Sequence, residues 1–528
     1  MSTELRDIAK CSVKGSFFLF LGKTSSTIIM AFASILIARL LGPENYGLYA
    51  LALITPSFFI AVGDLGISAA LTRFSALFRS EGKGQKVVGL IKAGIIFKLV
   101  SSLLLSLVLL LLSESIGTWV LRRPGIDLLI RFTSLYLVGQ AIFMALDSVF
   151  IGLDKTENSS LLTIAQALIK IVVSPLLIIL GMGAIGAIIG IGLGFLLATG
   201  IGITVLLPRL CPGLCSASSG DNIDLFGALR LMVPYGMPLY LSTLILSLLT
   251  QYRGIILAQF VSNMGIGNYT IAMNFSVLII IFSQPIAISL FPAFSKLSIK
   301  KDRDILEKMF KLSVKYTSLL VIPASLALCV LSNEVVYALY GSQYRLAPSY
   351  LALYVLYFLC AGLGMFVIAS FFNGQGDTKA TFKMDLVNVS LSVPLTLIFT
   401  FLYGVPGLMA SLVTSQFVST TYGLFLARKK YALTVDWASS FRILVASLCS
   451  ALLVYVLLAL IPIPLFKLVF GGFLYVISFL GFAPLLRAIS KEDVANLDEL
   501  LKGLVLIYPI ARSILNLEKR ILSLHIAI

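Results

Sequence analysis

The residues of this chain best placed to do chemistry are cations set inside apolar runs. Lys170 stands about nine residues into the stretch 161–181, roughly 14 Å deep at about 1.5 Å per helical residue, on a polar stripe with Thr163, Gln166 and Ser174. Lys23 shares a second stripe with Thr27 and Ser34 and lies roughly 12 Å into the first run by the same rise. A charge at the centre of a membrane helix costs about 2.5–3.5 kcal/mol on insertion scales, so such residues usually face a cavity. Both lysines suit a cavity that receives an anion. Arg253 is a third cation, although its helical neighbours Leu246 and Leu249 leave snorkelling toward the boundary as the alternative. Arg39 and Arg131 lie near the outer boundary. Gln140, Asn274, Gln284 and Gln416 could hydrogen-bond a polar ligand or simply bridge helices. Asp64, Asp147 and Asp385 are the membrane-proximal acids and the candidates for coupling to a cation; a hinge anchor for Asp64, and an ion pair or helix cap for Asp147, are the alternatives. The cysteines form no CxxC or metal-spaced pair and the single histidine, His525, is in the tail, so no metal site and no cofactor are expected.

The elements that must carry these residues are membrane helices. Hydrophobic residues make up 59% of the chain, charged residues 12%, and the mean hydropathy is +1.02, far from the balance of a soluble domain. About fourteen segments reach the roughly 20 apolar residues a spanning helix needs: 15–38, 47–70, 88–112, 128–151, 161–181, 184–207, 231–259, 267–291, 313–332, 348–372, 381–402, 406–427, 441–461 and 466–486. None alternates like a barrel strand, so the chain reads as an all-α polytopic membrane protein. Lys and Arg collect in the N-terminus, the loops after even-numbered helices and the C-terminal tail. Both termini are therefore expected in the cytoplasm of a cell-membrane protein. The net charge of +16 follows mostly from that topology. Nucleic acid is a poor partner for it, because the densest basic cluster, Lys296 to Lys315, is interleaved with Asp302, Asp304 and Glu307 and lies between two spans. The first run is too long for a cleaved signal and is expected to stay as helix 1.

The chain is also duplicated. Ala38, Gly47, Tyr49, Ala52, Phe74 and Ser75 recur 220 residues on as Ala258, Gly267, Tyr269, Ala272, Phe294 and Ser295, and Ser148, Phe150, Gly152 and Thr156 recur as Ser370, Phe372, Gly374 and Thr378. Repeats of this size in an apolar chain are a signature of transporters with a substrate site between the repeats. The expected organisation is an N-lobe of helices 1–6 (1–207), a cytoplasmic linker (208–230), a C-lobe of helices 7–12 (231–428), two added helices (429–488) and an amphipathic tail (489–528). In that tail Ser490 to Asp493 fits a capping box, and Val494, Leu497, Leu501 and Leu504 form an apolar stripe. The stripe suits the inner membrane surface or a partner helix. Gly190, Gly192 and Gly194 imitate a dinucleotide fingerprint without the strand it needs; with Gly186 they make a small-residue packing face instead.

Several motifs carry a family resemblance. Ala38-Arg39-Leu40-Leu41-Gly42-Pro43-Glu44-Asn45-Tyr46-Gly47, then Asp64-Leu65-Gly66-Ile67, Tyr235-Gly236-Met237-Pro238, Phe291-Pro292-Ala293-Phe294-Ser295, Tyr340-Gly341-Ser342-Gln343-Tyr344 and Gly374-Gln375-Gly376-Asp377-Thr378-Lys379 resemble, in order, the polysaccharide-biosynthesis flippases. These export lipid-linked oligosaccharides and belong to a superfamily that also holds drug antiporters and the peptidoglycan-precursor flippase. The resemblance runs over roughly residues 10–430. It departs at Tyr252, where many relatives place an acid before the arginine, which puts an ion pair of Arg253 in doubt.

The resemblance implies a headgroup-in-cavity mechanism. A polyprenyl-(pyro)phosphate-linked oligosaccharide would place its phosphate near Lys170, with Gln166 on the same stripe, Lys23 and Arg253, with Arg39 a lower candidate, and its sugars near Gln140, Asn274, Gln284 and Gln416, while the prenyl tail stays in lipid. Two lobes would then move it from the inner to the outer leaflet by alternating access. The resemblance further suggests that Asp385, Asn388 and Thr414 form a cation site, with Asp64 a second coupling candidate for Na+ or H+. Glycan-assembly enzymes and membrane lipid are the expected partners. Two other classes stay open. A cation-coupled multidrug antiporter would favour acidic cavity residues, and a polyprenyl-sugar polymerase or glycosyltransferase would need a sizeable outer loop carrying catalytic acids or histidines.

Overall fold

The computed structural model describes residues 3–206, 224–297, 301–461 and 464–501; the side chains of residues 3–21 and of a few later positions, Gln284 among them, lie outside that set, as does part of the expected linker. The described residues contain no strand. Packing divides the chain into two compact units, Met1–Thr270 and Ile271–Ile528. Unit one is built from α1 (Thr3–Gly63), α2 (Ile67–Ser80), α3 (Gly84–Ser115), α4 (Asp127–Gly152), α5 (Thr156–Leu177), α6 (Gly183–Ile201), α7 (Leu225–Phe260) and most of α8 (Asn263–Asn274). Unit two contains α9 (Ser276–Ser295), α10 (Arg303–Val330), α11 (Ser332–Tyr340), α12 (Ala347–Tyr354), a 3-10 stretch (Val355–Leu363), α13 (Ile368–Gly374), α14 (Thr378–Tyr403), α15 (Val405–Tyr431), α16 (Trp437–Leu458), α17 (Pro464–Leu485) and α18 (Lys491–Leu501).

The helices are inside-out relative to a soluble bundle. On α3 the buried face is Lys98, Ser102, Ser106 and Ser113, spaced at whole helical turns, whereas Leu103, Leu104, Leu107 and Leu111 face outward, Leu111 at 73% exposure. The same holds on α16, where Ser440, Ser447 and Ser450 are buried and Phe441, Leu448 and Leu452 are exposed. Only lipid makes that arrangement favourable, so this is a multi-pass membrane protein. Ten helical stretches among the described residues are long and apolar enough to cross, or up to eleven if the bent pair Ala347–Leu363 and Ile368–Gly374 counts as one span. That count differs from the fourteen expected because α1 runs through a break at Gly42 and α5 and α6 form one stretch broken at Gly181, so two expected pairs each fall inside a single helical stretch; the expected 348–372 is the bent pair, and the expected 406–427, within α15, is not among the ten.

The repeat is structural. Gly152 packs against Ser75, and its counterpart Gly374 packs against Ser295, the counterpart of Ser75. Phe74 and Phe294 each sit in the buried apolar cluster of their unit. One repeat-related pair even meets itself: a Cβ on Gly47 would strike the carbonyl of Asn263, and a Cβ on Gly267 the carbonyl of Pro43. Those two contacts are the same contact shifted by 220 residues, the reciprocity a local two-fold produces.

At the far end of unit two the capping box is formed. Ser490 N–H donates to Asp493 at 2.7 Å and Asp493 N–H donates to Ser490 Oγ at 3.2 Å. Asp493 is buried against Lys315 at 2.5 Å, and Asn496 donates to the Tyr316 hydroxyl at 3.2 Å, which docks α18 on α10. The rest of the expected tail stripe, from Leu504 on, lies outside the described residues.

Candidate functional site

Unit one holds a cavity of about 470 Å³ between α1, α4 and α7. Eight of its twelve lining residues are of polar type, although most of the lining surface is apolar: Ser57 and Asp64 from α1 and its end, Gln140 from α4, and Tyr240, Thr243, Ser247, Thr250 and Gln251 from α7. The α7 residues from 243 to 251 recur at helical spacing, so one face of that helix is a hydroxyl and amide stripe. Among the described residues no lysine or arginine lines this cavity.

Backbone chemistry fixes Asp64. It ends α1 at a turn in which Leu65 holds φ 46° and Gly66 φ 77°, both in the left-handed region. The carboxylate stabilises that turn by accepting the Gly66 N–H at 3.2 Å and the Ser68 hydroxyl at 2.5 Å. A third donor arrives from α3, where the ammonium of Lys98, 2% exposed, forms an ion pair with Asp64 Oδ1. A lysine buried in a membrane helix needs such a counter-charge, and Asp64 supplies it. The carboxylate is thus held by three donors while one side still faces the cavity.

Gln140 completes the acceptor face. Its amide hydrogen-bonds the Tyr136 hydroxyl, and its Oε1 is buried without a hydrogen-bond partner among the described residues. Nearby, Tyr240 donates to the Val62 carbonyl at 2.9 Å, which ties α7 to α1 beside Asp64.

Two backbone crossings flank the lining segments in chain order. Below Asp64 and Tyr240, Gly66 and Gly236 meet backbone to backbone, and a Cβ on either would overlap the other. Arg73 lies over the Tyr235 ring there, 4.2 Å from its centroid. At the other end the chains cross at Gly47 and Gly267. The lining segments 57–64 and 240–251 fall between those crossings in chain order.

The other sequence-derived candidates are scattered. Lys170 and Gln166 are buried on one face of α5, and Gln166 Nε2 has no hydrogen-bond partner among the described residues, but neither residue lines this cavity. Lys23 and Arg39 are exposed on α1, with Lys23 near the Asp147 carboxylate, which accepts from Ser159. Arg253 is half-buried on α7. In unit two, Asn274 hydrogen-bonds the Tyr340 hydroxyl, and the Gln284 side chain lies outside the described residues. Asn388 donates to Gln416 at 3.2 Å, whereas Asp385 and Thr414 are exposed, and Thr414 borders an apolar pocket with Leu353, Leu356 and Met409. Among the described residues no group of three or more His, Cys, Asp or Glu could hold a metal ion. Lys98 is the residue that sequence reasoning missed. It sits mid-run in 88–112, and the rule that singles out Lys170 applies to it equally.

Comparison with known proteins fits this architecture. A family model described as polysaccharide biosynthesis protein matches residues 36–348, more than half of the chain. The probable low-salt glycan biosynthesis flippase Agl15 of Haloferax volcanii is 26% identical over 170 residues, a match spanning 31% of this chain and only 35% of that protein. Among solved structures, lipid II flippase MurJ in an inward closed conformation superposes with a TM-score of 0.71 at 17% identity, covering 89% of this chain and 98% of that one. An inward-facing multidrug resistance MATE family transporter of the MOP superfamily gives 0.63 at 17% identity, covering 77% and 94%. At those identities the likeness is one of fold. The chain belongs to the polysaccharide biosynthesis protein family and has the fold of these membrane transporters.

Proposed function

We propose that this protein is a flippase that carries a polyprenyl-(pyro)phosphate-linked oligosaccharide from the inner to the outer leaflet, a transporter and not an enzyme. The observation that carries the reading is the cavity of unit one with its hydroxyl and amide residues, set within membrane helices and flanked in chain order by glycine crossings, in a chain of this family. Hydroxyls and amides suit a sugar headgroup, and tight crossings before and after the lining segments suit a site opened to one side at a time. The names of the flippases it resembles support the same reading. The distribution of Lys and Arg supports cytoplasmic termini, which in this reading puts the Gly66 crossing on that side.

In this reading Lys170, Lys23 and Arg253 serve the phosphate, and the prenyl tail stays in lipid. Coupling to Na+ or H+ belongs to it as well. Asp64 is charge-paired with Lys98, so protonating it would strand a buried ammonium. Asp385, exposed and in no ion pair among the described residues, is the acid open to a coupling cation. The pairing of Asp64 also argues against a drug antiporter, since it cancels the negative charge that would attract a cationic drug. Enzymes that build the glycan are the natural partners.

The test is leaflet translocation of a fluorescent lipid-linked oligosaccharide from the native host, in proteoliposomes holding wild type or Lys170→Ala. Flipping by wild type and a rate reduced tenfold or more in folded Lys170→Ala is expected. Failure of folded wild type to flip, with and without ion gradients, would overturn the proposal.

A further inference from the structure

We infer that Asp64 and Gln140 form an acceptor subsite that reads the sugar hydroxyls of the headgroup, with Lys98 as the positioning residue that pairs with the Asp64 carboxylate and aims it. The inference rests on the flippase reading and adds which residues recognise the glycan and with what chemistry.

Three observations carry it. The first is that the two strongest acceptors of the cavity are left with spare capacity. An ionised carboxylate offers about four lone-pair sites. Lys98 and Ser68 occupy Oδ1, and Gly66 N–H, at 3.2 Å, takes one site on Oδ2. Gln140 Oε1 is buried with nothing donating to it among the described residues. Gln140 Oε1 is closed to solvent, so a sugar hydroxyl reaches it once the amide turns toward the cavity; a buried acceptor without a donor costs about 1–3 kcal/mol, and that contact relieves it.

Secondly, the lining contains no lysine or arginine among the described residues. A phosphate, which is all acceptor at its charged oxygens, would meet Asp64 and Gln140 as like against like. The matching ligand is a polyol, whose hydroxyls donate. Around these acceptors, Ser57, Thr243 and Thr250 donate their hydroxyls to the Leu53, Tyr240 and Leu246 carbonyls and keep lone pairs for a ligand, which adds to the match with a sugar that brings donors.

The placement of Lys98 is the third. It is not part of the lining; it stands behind Asp64, buried on α3. From there it cannot take the substrate's phosphate without abandoning Asp64. What it does is supply the counter-charge of Asp64 and fix its rotamer, together with Ser68 and the Gly66 amide. The headgroup is thereby divided: sugar in this cavity, phosphate at cations elsewhere.

Binding in nanodiscs to two probes tests this: a polyprenyl phosphate carrying a host oligosaccharide, and the same polyprenyl phosphate without sugar. The informative variant is Asp64→Asn combined with Lys98→Met, which removes both charges and so avoids leaving either one buried alone. Wild type should prefer the sugar-bearing probe. The double variant, folded by size exclusion and thermal melting, should lose that preference by about tenfold or more, the scale of a hydrogen bond to a charged acceptor, while binding the bare phosphate as wild type does. Gln140→Leu should lose part of the same preference. A double variant that keeps the wild-type preference would overturn the subsite, as would a wild type that binds both probes equally while still flipping the lipid-linked sugar. If wild type neither binds nor flips either probe, the flippase reading itself fails, and the subsite with it.

Discussion

The two repeats share a scaffold and differ in their chemistry. In unit one the turn after α1 carries Asp64, paired with buried Lys98 and facing the cavity. The positions 220 residues on are Gln284 and Ser318, so the charge pair has no counterpart in unit two. Ser318 instead turns its hydroxyl to the Val314 and Ala361 carbonyls, and the nearby pocket of that unit is lined by Leu353, Leu356 and Met409. The packing glycines are duplicated, Gly152 with Gly374 and Gly47 with Gly267, whereas the ionisable groups are not. Duplication therefore preserved what closes helices together and left the site free to specialise in one half.

The largest effect that would sharpen this contrast comes from removing half of the pair. Lys98→Met strands the Asp64 charge and should cost about 3–5 kcal/mol, the scale for breaking a buried ion pair. Its counterpart Ser318→Ala removes neutral hydrogen bonds and should cost about 1 kcal/mol. Thermal melting in detergent reads both, and equal losses would break the comparison.

The symmetric crossing should respond next. Gly47→Ala with Gly267→Ala places two methyl groups against the carbonyls of Asn263 and Pro43. Ser57→Cys in that background should label faster with a membrane-impermeant maleimide than in an otherwise wild-type chain, since the crossing can no longer close. Unchanged labelling would show that this contact does not gate the cavity.

A smaller, pH-dependent effect belongs to unit two. Burial alone would raise Asp377, but donation from Lys430 at 2.6 Å, from Tyr431 at 3.0 Å and from the Ala380 N–H at 3.2 Å holds its carboxyl below the usual carboxylate range. A depressed carboxyl contributes stability above its unfolded value and loses it as pH falls through the folded one. Asp377→Asn should therefore lower the melting temperature at neutral pH and converge with wild type in acid. The gap should be small, because the Lys430 side chain is 40% exposed and screened by solvent.

Much of the fold was legible before any coordinates. The apolar runs, the duplication and the capping box at Ser490 all rest on local signals, namely length, spacing and residue type. The crossing count was not, because a glycine break such as Gly42 leaves two spans in one helical stretch. The site was legible only in part. Asp64 and Gln140 were chosen for charge and polarity inside apolar runs, and both line the cavity. Lys98 obeys the same rule and was passed over, and the serine and threonine stripe of α7 was hidden because hydroxyls are tolerated in membrane helices for many reasons. No single-residue signal tells which buried cation meets which acid, since Asp64 and Lys98 meet through the packing of α1 against α3.

The most direct test converts unit one chemically into unit two. Asp64→Gln with Lys98→Ser installs the residues of the second repeat, and the initial rate of lipid-linked oligosaccharide flipping in proteoliposomes is compared with wild type. A folded protein whose rate falls by tenfold or more is expected. A wild-type rate in the converted protein would contradict it, because the half-specific chemistry would then be dispensable to transport.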